Sequence, residues 1–185
     1  MFSKKLAIFD LDGTLFDTSD VNYMAYRAAC NEHGAELDRD FFVKECNGRH
    51  YREFIPRITG DPSLLEPIHE AKKRLYNTFL DHARMNTVLF DIIESIAGTY
   101  RIALVTTASR RNVEDILEHF RVKESFELII TQEDIKKPKP DPEGFLMAME
   151  HFGVLPENTV IFEDSDVGIE AARRSGATVF AVERF

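Results

Sequence analysis

Leu6-Ala7-Ile8-Phe9-Asp10-Leu11-Asp12-Gly13-Thr14, close to the start of the chain, is the stretch whose reading decides the fold. Its apolar run reads as a short buried strand, which passes directly into two aspartates, a glycine and a threonine. Side chains two apart on an extended chain point the same way, so Asp10 and Asp12 can converge on one pocket while Gly13 lets the backbone turn sharply. Paired carboxylates in that setting suit a hard cation, or a nucleophile working beside an acid/base. Asp and Gly are also ordinary at a polar strand end feeding a turn, so the weight of this fragment depends on the rest of the chain.

Beyond this fragment the chain divides into a helical region and a regular alternation. From about Asp17 to Met85 the periodicity is helical, with helices expected near Ser19 to Glu32, Asp38 to Cys46 and Leu64 to His82, and with no convincing strand. Leu64, Leu65, Ile68, Ala71, Leu75 and Phe79 fall on one helical face. Further on, the pattern predicts helix Val88 to Ala97, strand Ile102 to Val105, helix Asn112 to Phe120, strand Leu128 to Ile130, helix Pro142 to Phe152, strand Val160 to Phe162, helix Val167 to Ser175 and strand Val179 to Val182. Short apolar runs alternating with helices imply parallel strands joined by right-handed crossovers, an α/β doubly wound sheet. Gly98, Gly153 and Gly176 each fall just past a periodic segment, where helices stop.

Composition narrows the class. A chain of 185 residues, 44% apolar, can fill one good core and a smaller second module. Its formal charge of −9 argues against nucleic acid and anionic membrane as partners. Cys30 and Cys46 lack metal-site spacing and are expected to be reduced structural thiols. Met1-Phe2-Ser3-Lys4-Lys5 looks superficially like the basic start of a secretory signal, but the apolar run behind it ends at Asp10, too soon for such a signal. No segment has the length of a membrane span, and a cytoplasmic location is expected.

In open α/β sheets ligands bind beyond the carboxyl ends of the strands. The polar residues collect there: Asp10 and Asp12 after the first strand, Thr106 and Thr107 after the next, Glu163 and Asp164 after Val160-Ile161-Phe162. Lys137, in Lys136-Lys137-Pro138-Lys139-Pro140-Asp141-Pro142, lies in a loop at the same edge. Singly these read as strand-end caps, a solvated loop charge and a helix start; together they read as a phosphate-and-metal site. Asp10, Asp12 and Asp164 supply hard oxygen ligands of the kind Mg2+ prefers, and a hydroxyl with a lysine supplies donors and charge for a phosphoryl group. A receiver domain uses similar residues, but there an acidic pair comes first and the phosphoacceptor comes after it, the reverse of the order here.

By these motifs the chain resembles the haloacid dehalogenase superfamily. Asp10-Leu11-Asp12-Gly13-Thr14-Leu15-Phe16-Asp17 resembles the family's first motif, Leu104-Val105-Thr106 its second, Lys137 before Pro138 its third, and Phe162-Glu163-Asp164-Ser165-Asp166-Val167-Gly168 its fourth. The insertion is placed like the small helical cap of the phosphoglycolate phosphatase and β-phosphoglucomutase branch. The resemblance implies a doubly wound, Rossmann-like parallel-sheet core over 1–16 and 86–185, with an inserted α-helical cap over 17–85. It further implies that Asp10 attacks phosphorus, that Asp12 protonates the leaving oxygen and later activates water, and that Thr106 and Lys137 hold the phosphoryl oxygens, with Gly13 and Thr107 beside them. Mg2+ would be held by Asp10, Asp164 and Asp12, the last through its backbone carbonyl. Glu163 stays open between a metal ligand, a ligand through water, and a residue that orients the lysine.

The second acid separates phosphatases from the dehalogenases that named the family: an alkyl halide requires neither Asp12 nor a Mg2+ site. Phosphonatase chemistry would need a cap lysine, and nothing singles out Lys44, Lys72 or Lys73 from solvated helix lysines. Cys46-Asn47-Gly48-Arg49-His50-Tyr51-Arg52 resembles the cap loop that reads the substrate in relatives, and Arg49 and Arg52 there suit a carboxylate or second phosphate. Where β-phosphoglucomutases carry a His on the first cap helix this chain has Asn22, which weakens a mutase reading, although His33 or His50 can substitute spatially. The expectation is a Mg2+-dependent phosphatase of a small phosphorylated metabolite, monomeric or weakly dimeric. A phosphosugar mutase and a non-catalytic phospholigand-binding protein are the alternatives.

Overall fold

The chain runs β1 (Lys5–Phe9), β2 (Phe16–Asp17), α1 (Ser19–Glu32), α2 (Arg39–Phe41), α3 (Tyr51–Thr59), α4 (Leu65–Leu75), β3 (Arg84–Met85), α5 (Thr87–Ile96), β4 (Tyr100–Val105), α6 (Arg110–His119), β5 (Leu128–Ile130), α7 (Glu143–Phe152), β6 (Thr159–Glu163), α8 (Asp166–Arg174) and β7 (Thr178–Ala181). This computed structural model describes residues 5–46, 49, 51–183 and 185. Met1-Phe2-Ser3-Lys4, the signal-like start, lies outside them. Among the described residues no helix is long and apolar enough to cross a membrane.

Five strands pair in parallel in the order β5-β4-β1-β6-β7. The central place of β1 explains its continuous apolar run, since a strand with neighbours on both sides and layers on both faces has no exposed positions to make polar. Leu6, Ile8, Ala103, Val105 and Ile161 alternate onto one face, where Phe145, Ala148 and Met149 of α7 and Ala171 and Ala172 of α8 cover them. Near the carboxyl edge the rings of Phe9, Phe162 and Phe180 stack across β1, β6 and β7 at centroid distances of 4.5 and 5.2 Å. The order reverses around β1, with β4 on one side and β6 on the other, and a doubly wound sheet opens its ligand crevice at that reversal.

The chain divides into two compact units, Met1–Asp17 with Arg84–Phe185, and Thr18–Ala83. Periodicity predicts no strand in the helical region, but its outer margins hold two. Phe16 and Asp17 pair antiparallel with Met85 and Arg84, and an Arg84–Asp17 ion pair lies across the ribbon. A ribbon of two residues per strand is too short to leave an alternating pattern, so the sequence carries no sign of it.

The second unit has its own core. Tyr26, Ala29 and Cys30 of α1 pack with Phe42, Phe54, Ile55, Ile68 and Ala71. The expected helix Asp38 to Cys46 is a short turn at α2, capped by Asp38 accepting from the Phe41 amide, that widens into a π-helical turn over Phe42–Cys46. The expected helix to His82 changes after Leu75 to a 3-10 helix over Tyr76–His82. α3 is absent from the sequence-based expectation; Pro56 lies inside it and disfavours helix locally. Burial of Tyr51, Phe54 and Ile55 on one face overrides that preference.

Cys30 and Cys46 are free thiols inside this core, and burial pushes both up to about 11. A buried, protonated thiol is a poor nucleophile. At pH 8 the native protein should therefore react negligibly with a disulfide reagent such as DTNB, while the denaturant-unfolded chain titrates both thiols; a thiol that reacts rapidly in the native state would contradict this packing.

Candidate active site

Where the sheet reverses, the chain leaves β1 at Asp10, whose amide donates to the Phe162 carbonyl at 3.0 Å and so ties the loop to β6. The Asp10 carboxylate is almost wholly buried. Beside it lies the Lys139 side chain, 8% exposed, whose ammonium donates to Asp10 Oδ1 at 2.5 Å, to Glu163 Oε1 at 2.6 Å and to the Val105 carbonyl at 3.4 Å. Those contacts use every hydrogen the ammonium has. Among the described residues, Asp10 Oδ2 accepts no hydrogen bond.

Glu163 is fixed from its other side. Its Oε2 accepts from the amide and hydroxyl of Ser165 at 2.7 and 2.9 Å, and that hydroxyl accepts from the Gly168 amide, capping α8. The order of helix N-terminus, serine, glutamate, lysine and aspartate thus carries the position of α8 through to Asp10. Gly168 is required by space: a Cβ there would lie 1.7 Å from Glu163 Oε1. Gly13 is required twice over. Its φ of +88° is left-handed, and a Cβ would lie 2.2 Å from Asp164 Oδ2, while the Thr14 hydroxyl donates to Asp164 Oδ1 at 3.1 Å.

The electrostatics come from this enclosure. Burial pushes the Asp10 carboxyl well above the usual carboxylate range; Lys139 pulls against that, and Glu163 and Asp12 add to it. Burial works to lower Lys139, but Asp10 and Glu163 outweigh it and hold the ammonium above its ordinary value, so it stays charged. Asp10, Asp12, Glu163 and Asp164 together outnumber the one ammonium, and a divalent cation would correct that imbalance. Among the described residues no three acidic, His or Cys side chains form a metal cage by themselves. Mg2+ does not need one, because it keeps waters and shares phosphate oxygens with one or two carboxylates. Asp10, Asp164 and a loop carbonyl are donors of the required hard type, so the residues present fit the ion.

One expectation is corrected. The lysine at Asp10 is Lys139, not Lys137. Lys137 is exposed, and its amide, with that of Lys136, donates to Glu143 Oε2 at 2.6 and 3.1 Å, which keeps that part of the loop at the surface. The sequence holds two Lys-Pro pairs, and the one nearer α7, followed by the buried Phe145, is carried back to the sheet edge; the Lys139 ammonium lies 5.2 Å from the Phe145 ring. Glu163, left open by the sequence, accepts from Lys139 at Oε1 and from Ser165 at Oε2, contacts that support the reading in which it orients the lysine.

Thr106 is buried, its amide donating to the Ile130 carbonyl and its hydroxyl accepting from the Ala108 amide at 3.1 Å. Thr107 is exposed, and both threonines line a small, water-sized cleft with Lys137 and Lys139. Asp12 is half-buried in the loop that Gly13 closes onto the Phe16 carbonyl at 2.7 Å. Arg49 and Arg52 belong to the second unit, paired there with Glu45 at 3.9 Å and Glu66 at 3.4 Å. Asn47, Gly48 and His50 of the expected substrate loop lie outside the described residues. Asn22 donates to the Thr18 hydroxyl at 3.1 Å.

Residues 7–182 match the haloacid dehalogenase-like hydrolase family. A phosphorylated carbohydrates phosphatase of Thermotoga maritima is 30% identical over 183 residues, covering 91% of this chain and 80% of its own. A fructose-1-phosphate phosphatase of Escherichia coli is 28% identical over 172 residues, covering 91% of each chain. Among solved structures, CbbY of Rhodobacter sphaeroides in complex with phosphate superposes with a TM-score of 0.87 at 25% identity, over 98% of this chain and 87% of that one.

The dependence on Gly168 is testable. Gly168→Ala should displace Glu163 at a cost of about 1–3 kcal/mol, read as a melting temperature lower by roughly 2–4 °C per kcal/mol in a chain of this size. Gly153→Ala, at a left-handed position with open space around it, should strain only its own turn and leave the titration of Lys139 unchanged by NMR.

Proposed function

This chain belongs to the haloacid dehalogenase-like hydrolase family and is a phosphoric monoester hydrolase, and we propose that it hydrolyses a small phosphorylated metabolite through an aspartyl-phosphate at Asp10, with Mg2+ as cofactor. The observation that carries this reading is the buried Asp10 carboxylate, held through one oxygen by Lys139 with the other left to react. Phosphatases of phosphorylated sugars among the relatives support the substrate class.

In the first half-reaction an Asp10 oxygen forms a bond to phosphorus as the bond to the leaving oxygen breaks, and Asp12 gives that oxygen its proton. In the second, Asp12, now a carboxylate, takes a proton from the water that attacks the aspartyl-phosphate, and Asp10 is released. Lys139 holds Asp10 in one orientation throughout, and with Thr106 it offers positive charge and a hydroxyl donor for the phosphoryl oxygens. When bound by Asp10, Asp164 and the carbonyl of Asp12, Mg2+ supplies the positive charge that lets an anionic nucleophile approach an anionic ester. Glu163 keeps Lys139 charged and in place, a positioning role.

Asp10→Asn keeps the shape of the site and removes the nucleophile, so turnover of p-nitrophenyl phosphate should fall by at least about 10³-fold, with an unchanged circular dichroism spectrum. A folded Asp10→Asn variant that retained most of its activity would overturn the covalent mechanism. Chelation of Mg2+ should abolish turnover, Ca2+ should restore it poorly because its larger sphere is less strict in geometry, and Asp164→Ala should raise the Mg2+ concentration needed for half-maximal rate. A rate indifferent to chelator would remove the metal from this account.

A further inference from the structure

The two edges of the sheet are built differently. At one edge β5 is short, Leu128–Ile130, and Glu127 directly before it carries a charge. Shortness and charge are means by which folded proteins keep an edge strand from pairing with another chain. β7, at the other edge, lies in a run from Ser175 to Val182 that holds neither a charge nor a proline. Among the described residues no strand pairs with its outer side. Phe180 is 54% exposed there, with its ring stacked on Phe162.

An open edge shows only that something can pair with it; α8, which packs on both β6 and β7, shows what fits. Asp166 and Arg173 are seven residues apart, close to two helical turns, so they share one face of α8, with Ile169 between them. Gly168, Ala171 and Ala172 turn to the sheet, and Arg174 reaches the Pro140 carbonyl before α7, which leaves the Asp166 face looking out past β7. Asp166 and Arg173 are exposed and make no ion pair with a described residue, and Ile169 is half-buried. A face with an acid at its start, an aliphatic side chain at its middle and a base at its end complements a copy of itself laid antiparallel. Laid parallel, it would set like charges together.

We infer that the β7 edge is the interface for a second copy of this chain, paired antiparallel about a two-fold axis so that the two sheets join into one. Strands pair about 4.8 Å apart, and α8 lies over the gap between β6 and β7, so the two α8 helices would run about 10 Å apart, a spacing at which helices pack. Each Asp166 then meets the partner's Arg173, and the axis makes that contact twice. On the other face of the joined sheet, Phe180 is covered by the partner's strand instead of water. This inference is independent of the reaction the protein catalyses.

Sedimentation equilibrium of the whole chain tests it. The wild type should reach a reversible dimer at concentrations up to about 100 µM, and Phe180→Lys, which puts a charge on the edge, should remain monomeric. Asp166→Arg and Arg173→Asp each set like charges against one another twice, and each should raise the dimer Kd at least about ten-fold. Combining the two exchanges the charges and should bring Kd back to within about three-fold of wild type. Both substitutions oppose the α8 macrodipole, so a purely structural effect would grow in the double variant, whereas a contact between copies is restored. A wild type that stays monomeric, a folded Phe180→Lys variant that still dimerises, single reversals without effect, or a double variant as weak as the singles would each overturn the inference. Circular dichroism establishes that each variant is folded, and the charge exchange decides the matter if Phe180→Lys is not.

Discussion

A single ammonium shared by two buried carboxylates is the constraint to which the rest of this site answers. Removing the ammonium from such a group would leave two buried carboxylates without a counter-charge, at a cost on the order of 3–5 kcal/mol, so Asp10 and Glu163 both depend on Lys139 for their places. Each member arrives from a different part of the chain: Asp10 from the end of β1, Glu163 from the end of β6, and Lys139 from the loop that precedes α7. The parallel pairing of β1 with β6 brings the two carboxylates to one edge, and the loop lowers the lysine between them. Sheet topology and site electrostatics are therefore one requirement.

The small residues around this group are set by it. Ser165 stands between Glu163 and the amide of Gly168, so the carboxylate that fixes the lysine is itself fixed by the first turn of α8. Any side chain at position 168 would occupy the space that Glu163 needs, and any at 13 would meet Asp164. Glycine at these points is a consequence of how closely backbone and carboxylate must approach, independent of the helix or strand preferences of the residue.

The fold is legible in the sequence to the extent that burial writes itself into periodicity. β1 is central, and its unbroken Leu6 to Phe9 run says so; α1 is amphipathic, and its limits can be read directly. The Asp10-Leu11-Asp12-Gly13 fragment and the acidic pair at 163 and 164 are readable because they end strands at one edge. The lysine is not, since Lys137 and Lys139 are both followed by proline and only the path of the loop decides which is buried. The role of Glu163 is equally hidden, because a metal ligand and a lysine-orienting carboxylate look alike until their hydrogen-bond partners are known. α3 escapes sequence reasoning because local propensity at Pro56 and tertiary burial of Tyr51, Phe54 and Ile55 oppose each other, and burial wins.

The ribbon formed by Phe16–Asp17 and Arg84–Met85 has a bearing on how such a protein can change over evolutionary time. The two strands that flank the helical unit run side by side, separated by roughly 5 Å, the spacing of paired strands. To the sheet, the whole intervening unit therefore has the ends of a hairpin loop, and the entropy of closing a loop grows only slowly with its length. A helical unit can be enlarged, trimmed or exchanged for an unrelated one at this junction while β1 and its neighbours keep their register. The catalytic edge and the inserted unit are thus free to diverge at different rates, with the Asp17–Arg84 pair as the seam between them.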